Sequence, residues 1–354
     1  MRWYRFGADF FVCDCEKLKM YWMYIEFFGK KQAGKDVPKM CRRINQRFPK
    51  QPGSQYREKG GYAMLLAIDI GNTSISLGVF DTAPDAVLDG GGRPPLRLRA
   101  KMAADRRRSA DEYAITLRSI LKGGGMDPAC VGEVMIGSVV PLLTHTLCAA
   151  AQGLCPPTGE KPPVTVTVVG SGVRTGVSLL VDEPSQLGAD IVCNAAAAVW
   201  LYGAPVIIVD FGTATVLSAV NAGRALMGVT ISPGLNTSLE GLQTAAAQIP
   251  YIELKSPGPT LGRNTAASTR SGIVYGTACM VDGMIDRILT EAHLPPTVPV
   301  VATGGMCNLV LPHCRHTLVE ERDLTLLGLA RIAMLTGERE ERRNRKAGAQ
   351  ERIP

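Results

Sequence analysis

The feature that most constrains this sequence is a short pattern that occurs twice. In each copy an apolar strand ends in Asp, one further residue and Gly, small hydroxyl residues follow, and a second strand begins. The first copy is Asp69-Ile70-Gly71-Asn72-Thr73, and the second, 141 residues later, is Asp210-Phe211-Gly212-Thr213-Ala214-Thr215. Because each connection is too short for a crossover helix, each copy predicts an antiparallel β-hairpin. The repeat predicts a duplicated domain whose two similar halves face one cleft.

Hydrophobic periodicity around these turns predicts strands and helices in both halves. Strands are predicted at 65–71, 74–80, 96–102, 134–140, 164–169, 206–211, 213–220 and 298–302. Helices are predicted at 109–121, where Ser109 and Glu112 form a capping box, and at 142–152, 184–202, 272–289 and 324–335. We therefore predict an α/β fold of two duplicated domains, with mixed five-stranded sheets flanked by helices.

Composition divides the chain into four regions. Residues 64–185 are predicted to form the first of the duplicated domains, 186–337 the second, and 338–354 a charged tail that frays. Residues 1–63 hold 14 of the 39 Lys and Arg, 6 of the 32 Asp and Glu, and 13 of the 20 aromatic residues. We interpret this segment as an extension outside the core, with Met64 as the functional start. The alternative is a basic, aromatic-rich arm that binds nucleic acid or a partner.

Several classes of protein are excluded by what the chain lacks. No run of about 18 apolar residues is present, so no membrane span is predicted, and nothing resembles a secretory signal. The ten cysteines are then interpreted as reduced thiols of a cytoplasmic protein. Cys13-Asp14-Cys15 with Cys41 lacks the second ligand pair of a zinc site. Because the positive charge is concentrated at one end, nucleic acid is not expected as a partner.

Two common nucleotide motifs are also missing. No Gly-x4-Gly-Lys-Ser/Thr phosphate loop occurs, which excludes a P-loop kinase. The glycine-rich segment 170–176 follows a strand, but its third Gly comes one residue late for a dinucleotide fingerprint and no clean helix follows. We therefore assign no nucleotide-binding role to it.

The chemistry of the repeated turn favours phosphate binding. Gly71 allows a ligand to approach the backbone closely, and Asn72 and Thr73 can donate to phosphate oxygens. Asp69 can hold a hydrated magnesium ion through water. A later strand leads into Gly304 and Gly305, which would let a flat base lie against the backbone.

Asp190 has two interpretations. As a residue near the start of a helix, its carboxylate is favoured by the helix dipole. As a catalytic residue, it would be the general base that takes a proton from a substrate hydroxyl. Spacing alone does not separate these alternatives.

In their order, these motifs resemble the type III pantothenate kinase family over residues 64–337. The matching segments are Asp69-Ile70-Gly71-Asn72-Thr73, Gly188-Ala189-Asp190 with Asn194 and Ala195, Val209 to Thr215, Ile231-Ser232-Pro233-Gly234, Gly262-Arg263-Asn264-Thr265 with Ser271-Gly272, and Thr303-Gly304-Gly305. The resemblance implies ATP-dependent phosphorylation of pantothenate at the first step of coenzyme A biosynthesis. It also implies that the duplicated domains are ribonuclease-H-like, actin-like ATPase domains with mixed five-stranded sheets. The protein would be a homodimer in which the partner closes the pantothenate pocket.

The resemblance also implies residue roles. Asp190 would accept the proton of the pantothenate hydroxyl, and Asp210 would bind the monovalent cation, potassium or ammonium. ATP would be bound by Asp69, Ile70, Gly71, Asn72, Thr73, Ser74, Ile75, Ser76, Thr213, Gly304 and Gly305. The substrate would be bound by Val181, Gly188, Ala189, Asp190, Ile191 and Thr265.

Two departures from the family pattern concern the substrate pocket. Ile191 stands where many members have Arg, and Val181 where many have Tyr. A missing guanidinium removes a charge-assisted contact that contributes about 1.5–3 kcal/mol. These departures leave two alternatives open, a non-catalytic regulatory protein of the same fold and a kinase for another small alcohol. Because Asp69, Asp190 and Asp210 are all present, the sequence favours the enzyme.

Overall fold

The computed structural model describes residues 3–5, 11–13, 64–81, 93–154, 163–246 and 249–350, and the side chains of those within 64–337. Two compact units are present, Met1–Glu58 and Lys59–Pro354. The first contains an antiparallel strand pair, β1 (Trp3–Arg5) and β2 (Phe11–Cys13). The second contains the remaining described elements. The cysteine group at 13–15 and 41 lies outside the described side chains.

The second unit is built on eleven strands among its described residues. They are β3 (Met64–Ile70), β4 (Ser74–Asp81), β5 (Leu96–Ala103), β6 (Val131–Ser138), β7 (Thr165–Val168), β8 (Ser178–Leu179), β9 (Val206–Phe211), β10 (Ala214–Val220), β11 (Ala225–Pro233), β12 (Val300–Thr303) and β13 (Leu318–Glu320).

These strands form two sheets with the same internal order. The first sheet runs β5-β4-β3-β6-β7, and the second runs β11-β10-β9-β12-β13 with β8 added beside β11. In the first sheet β3, β4 and β5 form an antiparallel meander, and β6 and β7 are added in parallel. In the second sheet β9, β10 and β11 form the meander, and β12 and β13 are added in parallel. The predicted duplication is therefore a duplication of topology, and both copies of the Asp-x-Gly pattern connect the first two strands of their meander.

Helices flank the sheets. They are α1 (Ala110–Gly123), α2 (Pro141–Gln152), α3 (Ala189–Tyr202), α4 (Leu235–Ala245), α5 (Thr265–Glu291), α6 (Cys307–Val310) and α7 (Leu324–Gln350). The predicted capping box is present, since Ser109 and Glu112 exchange hydrogen bonds at the start of α1. No helix among the described residues is both long enough and apolar enough to cross a bilayer.

The apolar core has three parts, and the middle one is shared by both sheets. One outer cluster packs α1 and α2 on the first sheet, and the other packs α5 on the second. Between the sheets, α3 and α7 pack against inward-facing residues of both, including Leu65 and Ala67 of β3 and Val206 and Ile208 of β9. Because side chains alternate along a strand, Asp69 and Asp210 face this shared layer.

Several elements differ from the prediction for local reasons. The second sheet has six strands, because the two residues of β8 pair with β11. The helix predicted at 184–202 begins only at Ala189, because Pro184–Gln186 forms a separate 3-10 turn and Gly188 has an extended conformation. At the other end of the chain, α7 continues to Gln350, through residues predicted to fray.

Three further differences lie in the second half. Strand β11 and helix α4 were not predicted, and they lie between the second hairpin and α5. Helix α5 starts at Thr265 rather than at 272, because the Asn264 side chain caps it by accepting from the backbone N of Ala267. Its first turns are small and polar, so apolar periodicity gave no signal there.

Candidate active site

The two Asp-x-Gly turns meet at one end of the shared layer. The Oγ1 atoms of Thr73 and Thr213, one from each turn, are 3.4 Å apart. Each turn is closed by a backbone hydrogen bond from its glycine, Gly71 to the Ser74 carbonyl and Gly212 to the Ala214 carbonyl, both at 3.0 Å. The site therefore receives one Asp-x-Gly turn from each half, as the repeat predicts.

Three carboxylates lie beside these turns. Asp69 and Asp210 are each the last inward-facing residue of their strand, and Asp190 is in the first turn of α3, the helix between the sheets. The backbone N of Ile191 donates to Oδ1 of Asp190 at 2.8 Å, which fixes that carboxylate at the helix start. A Cβ on Gly188 would overlap the same oxygen, so glycine leaves the space that the carboxylate occupies.

Burial and mutual repulsion shift the titration of this group upward. Burial, together with the charges of Asp190 and Asp210, raises the pKa of Asp69 to about 7, and the charge of Lys101 opposes this shift. Burial, with the Asp190 charge, raises the pKa of Asp210 to about 6 against a hydrogen bond from Asn194. Burial also raises the pKa of Asp190, against the backbone donors that lower it. Such shifted carboxyl groups at a cleft are typical of a functional site.

Lys101 was not identified from the sequence. Strand register places Asp69 opposite Ser76 and Ser76 opposite Lys101, so these three residues form a row across β3, β4 and β5. The lysine is exposed and its charge lowers the pKa of Asp69. It is therefore an exposed cation beside the Asp69 carboxylate. The alternation of side chains in the predicted strand 96–102 could place Lys101 on one face of that strand. Its position opposite Ser76 could not be predicted, because it depends on the register between β4 and β5.

Asn194 connects Asp210 to the closing helix. Its Nδ2 donates to Oδ2 of Asp210 at 3.0 Å, and its Oδ1 accepts from the Thr325 hydroxyl of α7 at 2.8 Å. The asparagine is 2% exposed, so the sequence motif at 188–195 supplies both Asp190 and the residue that orients Asp210.

The remaining motifs of the second half hold its turn in place. Gly234 packs so closely on the turn that a Cβ would overlap the Gly212 carbonyl, and its N donates to the Thr213 carbonyl at 3.0 Å. Gly304, at φ +101°, lies against the Phe211 backbone, where a Cβ would come within 2.5 Å of the carbonyl oxygen. Gly305 follows in open space, where an added Cβ would meet nothing within 4 Å.

The predicted substrate residues are only partly brought together. Gly188, Ala189 and Ile191 surround Asp190 at the start of α3, and Ile191 packs on the shared core. Val181 lies in the segment between β8 and the 3-10 turn. Thr265 is exposed at the start of α5, and α5 packs on the face of the second sheet opposite the one that carries Asp210.

The carboxylates fit hydrated cations better than a closed metal cage. The described residues contain no group of three or more His, Cys, Asp or Glu side chains arranged to hold a metal directly. Magnesium prefers one or two carboxylates together with water and phosphate oxygens. The mutual repulsion that raises the Asp69 and Asp210 pKa values would be relieved by a cation between them and a phosphate chain.

Fold and site together define an actin-like phosphotransferase built from two related halves. The sequence model of the family described as "Type III pantothenate kinase" matches residues 65–287. Proteins described as type III pantothenate kinase from Anaeromyxobacter sp. (strain K) and Anaeromyxobacter dehalogenans (strain 2CP-C) are each 38% identical over 266 residues, which is 75% of this chain and 97% of theirs. The chain belongs to the type III pantothenate kinase family.

A solved structure shows a weaker similarity. A Campylobacter jejuni protein described as a Baf family transcriptional activator aligns with a TM-score of 0.45 and 14% identity, covering 77% of this chain and 99% of that one. A similarity at this level supports no functional argument.

Proposed function

We propose that this chain transfers the γ-phosphoryl group of ATP to the primary hydroxyl of pantothenate, the first step of coenzyme A biosynthesis. The observation that carries the proposal is the meeting of Thr73 and Thr213, 3.4 Å apart, beside three carboxylates. Family membership supports the choice of ATP and pantothenate. The turns suit phosphate, and the carboxylates suit cations and proton transfer.

The two halves contribute different residues to the binding of ATP. The turn from Asp69 to Ser76, together with Lys101, binds the ATP phosphates, while Thr213 contacts them from the second half. Gly304 and Gly305 provide the flat backbone for the base. Phosphoryl transfer passes through a loose transition state, so positioning and charge neutralisation are the main requirements.

Asp190 is the general base in this proposal. Its carboxylate is held by the Ile191 backbone N–H at 2.8 Å, at the positive end of the α3 dipole. It accepts the hydroxyl proton of the substrate as the oxygen attacks phosphorus. The upward shift of its pKa makes it a stronger base than an exposed aspartate.

Two cations complete the proposal. Asp69 would hold magnesium through water, and Asp210, oriented by Asn194, would hold potassium or ammonium. When bound, these ions supply charge neutralisation for the phosphate chain. The pKa values of about 7 for Asp69 and about 6 for Asp210 favour a cation between these groups.

The proposed assembly is a homodimer. Exposed apolar side chains lie around α4 and the segment that leads into α5, at Ile231 (67% exposed), Tyr251 (91%) and Leu261 (87%). Burial of such a surface on a second copy would remove apolar area from water. Leu261 lies in the segment directly before Thr265, so dimerisation through this segment would enclose the start of α5. Sedimentation of the wild type and of Tyr251→Asp with Leu261→Asp would test it, because a monomeric wild type contradicts the proposal.

The proposed location is the cytoplasm. The six described cysteines are all free thiols, which suits a reducing compartment.

A coupled ADP-release assay with ATP, pantothenate, magnesium and potassium tests the reaction. Asp190→Asn keeps the shape of the side chain and removes the base, so kcat should fall by about 10²–10⁴-fold. Asp111→Asn is the matched control, because Asp111 is an exposed aspartate in the first turn of α1, and its kcat should equal that of the wild type. Wild-type protein without turnover, or Asp190→Asn with full turnover, would refute the proposal.

Ile191 and Val181 make substrate identity a separate question. The same assay with a panel of small primary alcohols, at equal concentrations, measures it. Pantothenate should have the highest kcat/KM. A higher value for another alcohol would retain the kinase assignment and replace the substrate.

A further inference from the structure

A cavity with a mixed polar and apolar lining lies away from the carboxylate group. Its volume is about 230 Å³, and its lining includes Arg174, Arg224, Arg331 and Trp200. Trp200 is ten residues beyond Asp190 on α3, which corresponds to about 15 Å along the helix axis. At about 30 Å³ for each water molecule in the liquid, the cavity has room for a small polyatomic ion and its nearest waters.

The cavity concentrates positive charge without described acidic partners. Within the side chains described between 64 and 337, none of the three arginines forms an ion pair with a carboxylate. Arg331 lies over the Trp200 ring, with its Cζ 5.5 Å from the ring centroid, so its guanidinium has a fixed support. Three guanidinium groups around one concave surface repel each other, and a bound anion would relieve that repulsion.

Two of these arginines, Arg174 and Arg224, lie in turns whose backbone is held by hydrogen bonds. Arg174 is in the glycine-rich segment 170–176, which connects the last strand of the first sheet to β8 of the second. Gly172 and Gly176 take φ values of +88° and +81° there, conformations that favour glycine. The hydroxyl of Thr175 donates to the Val177 carbonyl at 3.0 Å. The segment is therefore shaped as a turn, although it is not a dinucleotide fingerprint.

Arg224 is held in the turn between β10 and β11. Its φ is +60°, a left-handed conformation uncommon for a residue with a side chain. Its N donates to the Asn221 carbonyl at 2.9 Å, and its carbonyl accepts from Ser178 N at 3.0 Å. The second contact ties the turn to β8, so the same two short segments position both Arg174 and Arg224.

We propose that this cavity is a binding site for a phosphate-bearing anion, distinct from the ATP site. The planar fork of arginine matches the oxygens of a phosphate group, and more than one guanidinium is needed to neutralise a dianion. The site draws on the connection between the sheets, on the second sheet and on α7, which packs against α3 and the first sheet. Binding is independent of the proposed kinase reaction and needs no turnover.

Calorimetric titration with inorganic phosphate at constant ionic strength tests the proposal. The full-length protein is first saturated with ADP and magnesium, so that the catalytic turns are occupied. We expect one saturable site, weakened about tenfold in Arg174→Gln and in Arg224→Gln, which corresponds to ~1.4 kcal/mol for each. Arg287→Gln is the matched control, because this exposed arginine of α5 forms no hydrogen bond or ion pair with described residues.

Thermal unfolding separates binding from a structural role. Phosphate should raise the midpoint of the wild type and of Arg287→Gln, and the rise should be lost in the two cavity variants. If either fails to fold, Arg331→Gln replaces it. No saturable binding, equal binding in all variants, or an equal phosphate-dependent rise in all variants would overturn the proposal. Phosphate that binds beside ADP in the catalytic cleft would give equal binding in all variants. Loss of kinase turnover alone would leave these readouts unchanged, so the two proposals fail separately.

Discussion

Replacement of Gly188 by alanine tests whether the position of the Asp190 carboxylate controls turnover. Gly188 has a φ of −59° and a ψ of 139°, which alanine adopts without strain. The added Cβ would overlap Oδ1 of Asp190 and lie 3.3 Å from Cγ1 of Val139. Because the aspartate side chain is the part that can rotate, restoring an ordinary contact requires its carboxylate to move by roughly 1 Å.

The expected effect falls on catalysis and not on folding. A displacement of about 1 Å at a reacting group can cost about 10²-fold in rate, or ~2.7 kcal/mol of transition-state stabilisation. Replacing an N-cap glycine by alanine should lower the free energy of unfolding by less than ~1 kcal/mol. The ADP-release assay should therefore show kcat about 100-fold lower, with a KM for ATP within about twofold of the wild type.

The matched control for this variant is Gly123→Ala. Gly123 is the last residue of α1, and a Cβ there would meet nothing within 4 Å, so its kcat and unfolding midpoint should stay at wild-type values. A correctly folded Gly188→Ala protein that keeps kcat within about threefold of the wild type would show that the carboxylate position does not set the rate. The assignment of Asp190 as the base would then be wrong.

Three further predictions concern the same cleft. Because Asp69 and Asp210 have pKa values of about 7 and about 6, both take up protons as pH falls, and kcat/KM should decrease between pH 7 and pH 5; a flat profile would contradict this. Magnesium–nucleotide binding favours their ionised forms, so at pH 6.5 it should release protons, seen as a binding enthalpy that varies with the ionisation enthalpy of the buffer. Gly304→Ala should lose nucleotide affinity measured by titration, because φ is +101° and the Cβ would strike the Phe211 backbone, whereas Gly305→Ala should retain it.

The sequence predicted the parts of this protein whose signals are local. Each hairpin is encoded by adjacent residues, a strand, an Asp-x-Gly turn and a second strand, and both hairpins are present. The family and the actin-like fold are confirmed, because the order of the motifs is preserved along the chain. Asp69 and Asp210 could be placed together in advance, since equivalent positions of a duplicated fold face the same cleft.

Other features depend on contacts that sequence patterns do not encode. Lys101 reaches the site only because the registers of β3, β4 and β5 align it with Asp69. The added strand β8 has two residues and no periodicity of its own. The roles of Thr265 and Val181 remain predictions, because the structure of one chain places neither beside Asp190.

The two halves share a topology but differ in the residues beside their turns and in the length of those turns. In the first half, the row that begins at Asp69 continues through Ser76 to Lys101, whereas in the second half the row from Asp210 continues through Val216 to Ile231. The first turn also leaves residues 71–74 between its paired strands, and the second leaves only 212–214. A longer turn with a serine and a lysine beside it suits the anionic phosphates. The row beside the shorter turn contains no cationic side chain, and its carboxylate is oriented by Asn194. The unequal rows therefore support the proposed division, with the ATP phosphates at the first turn and the monovalent cation at Asp210.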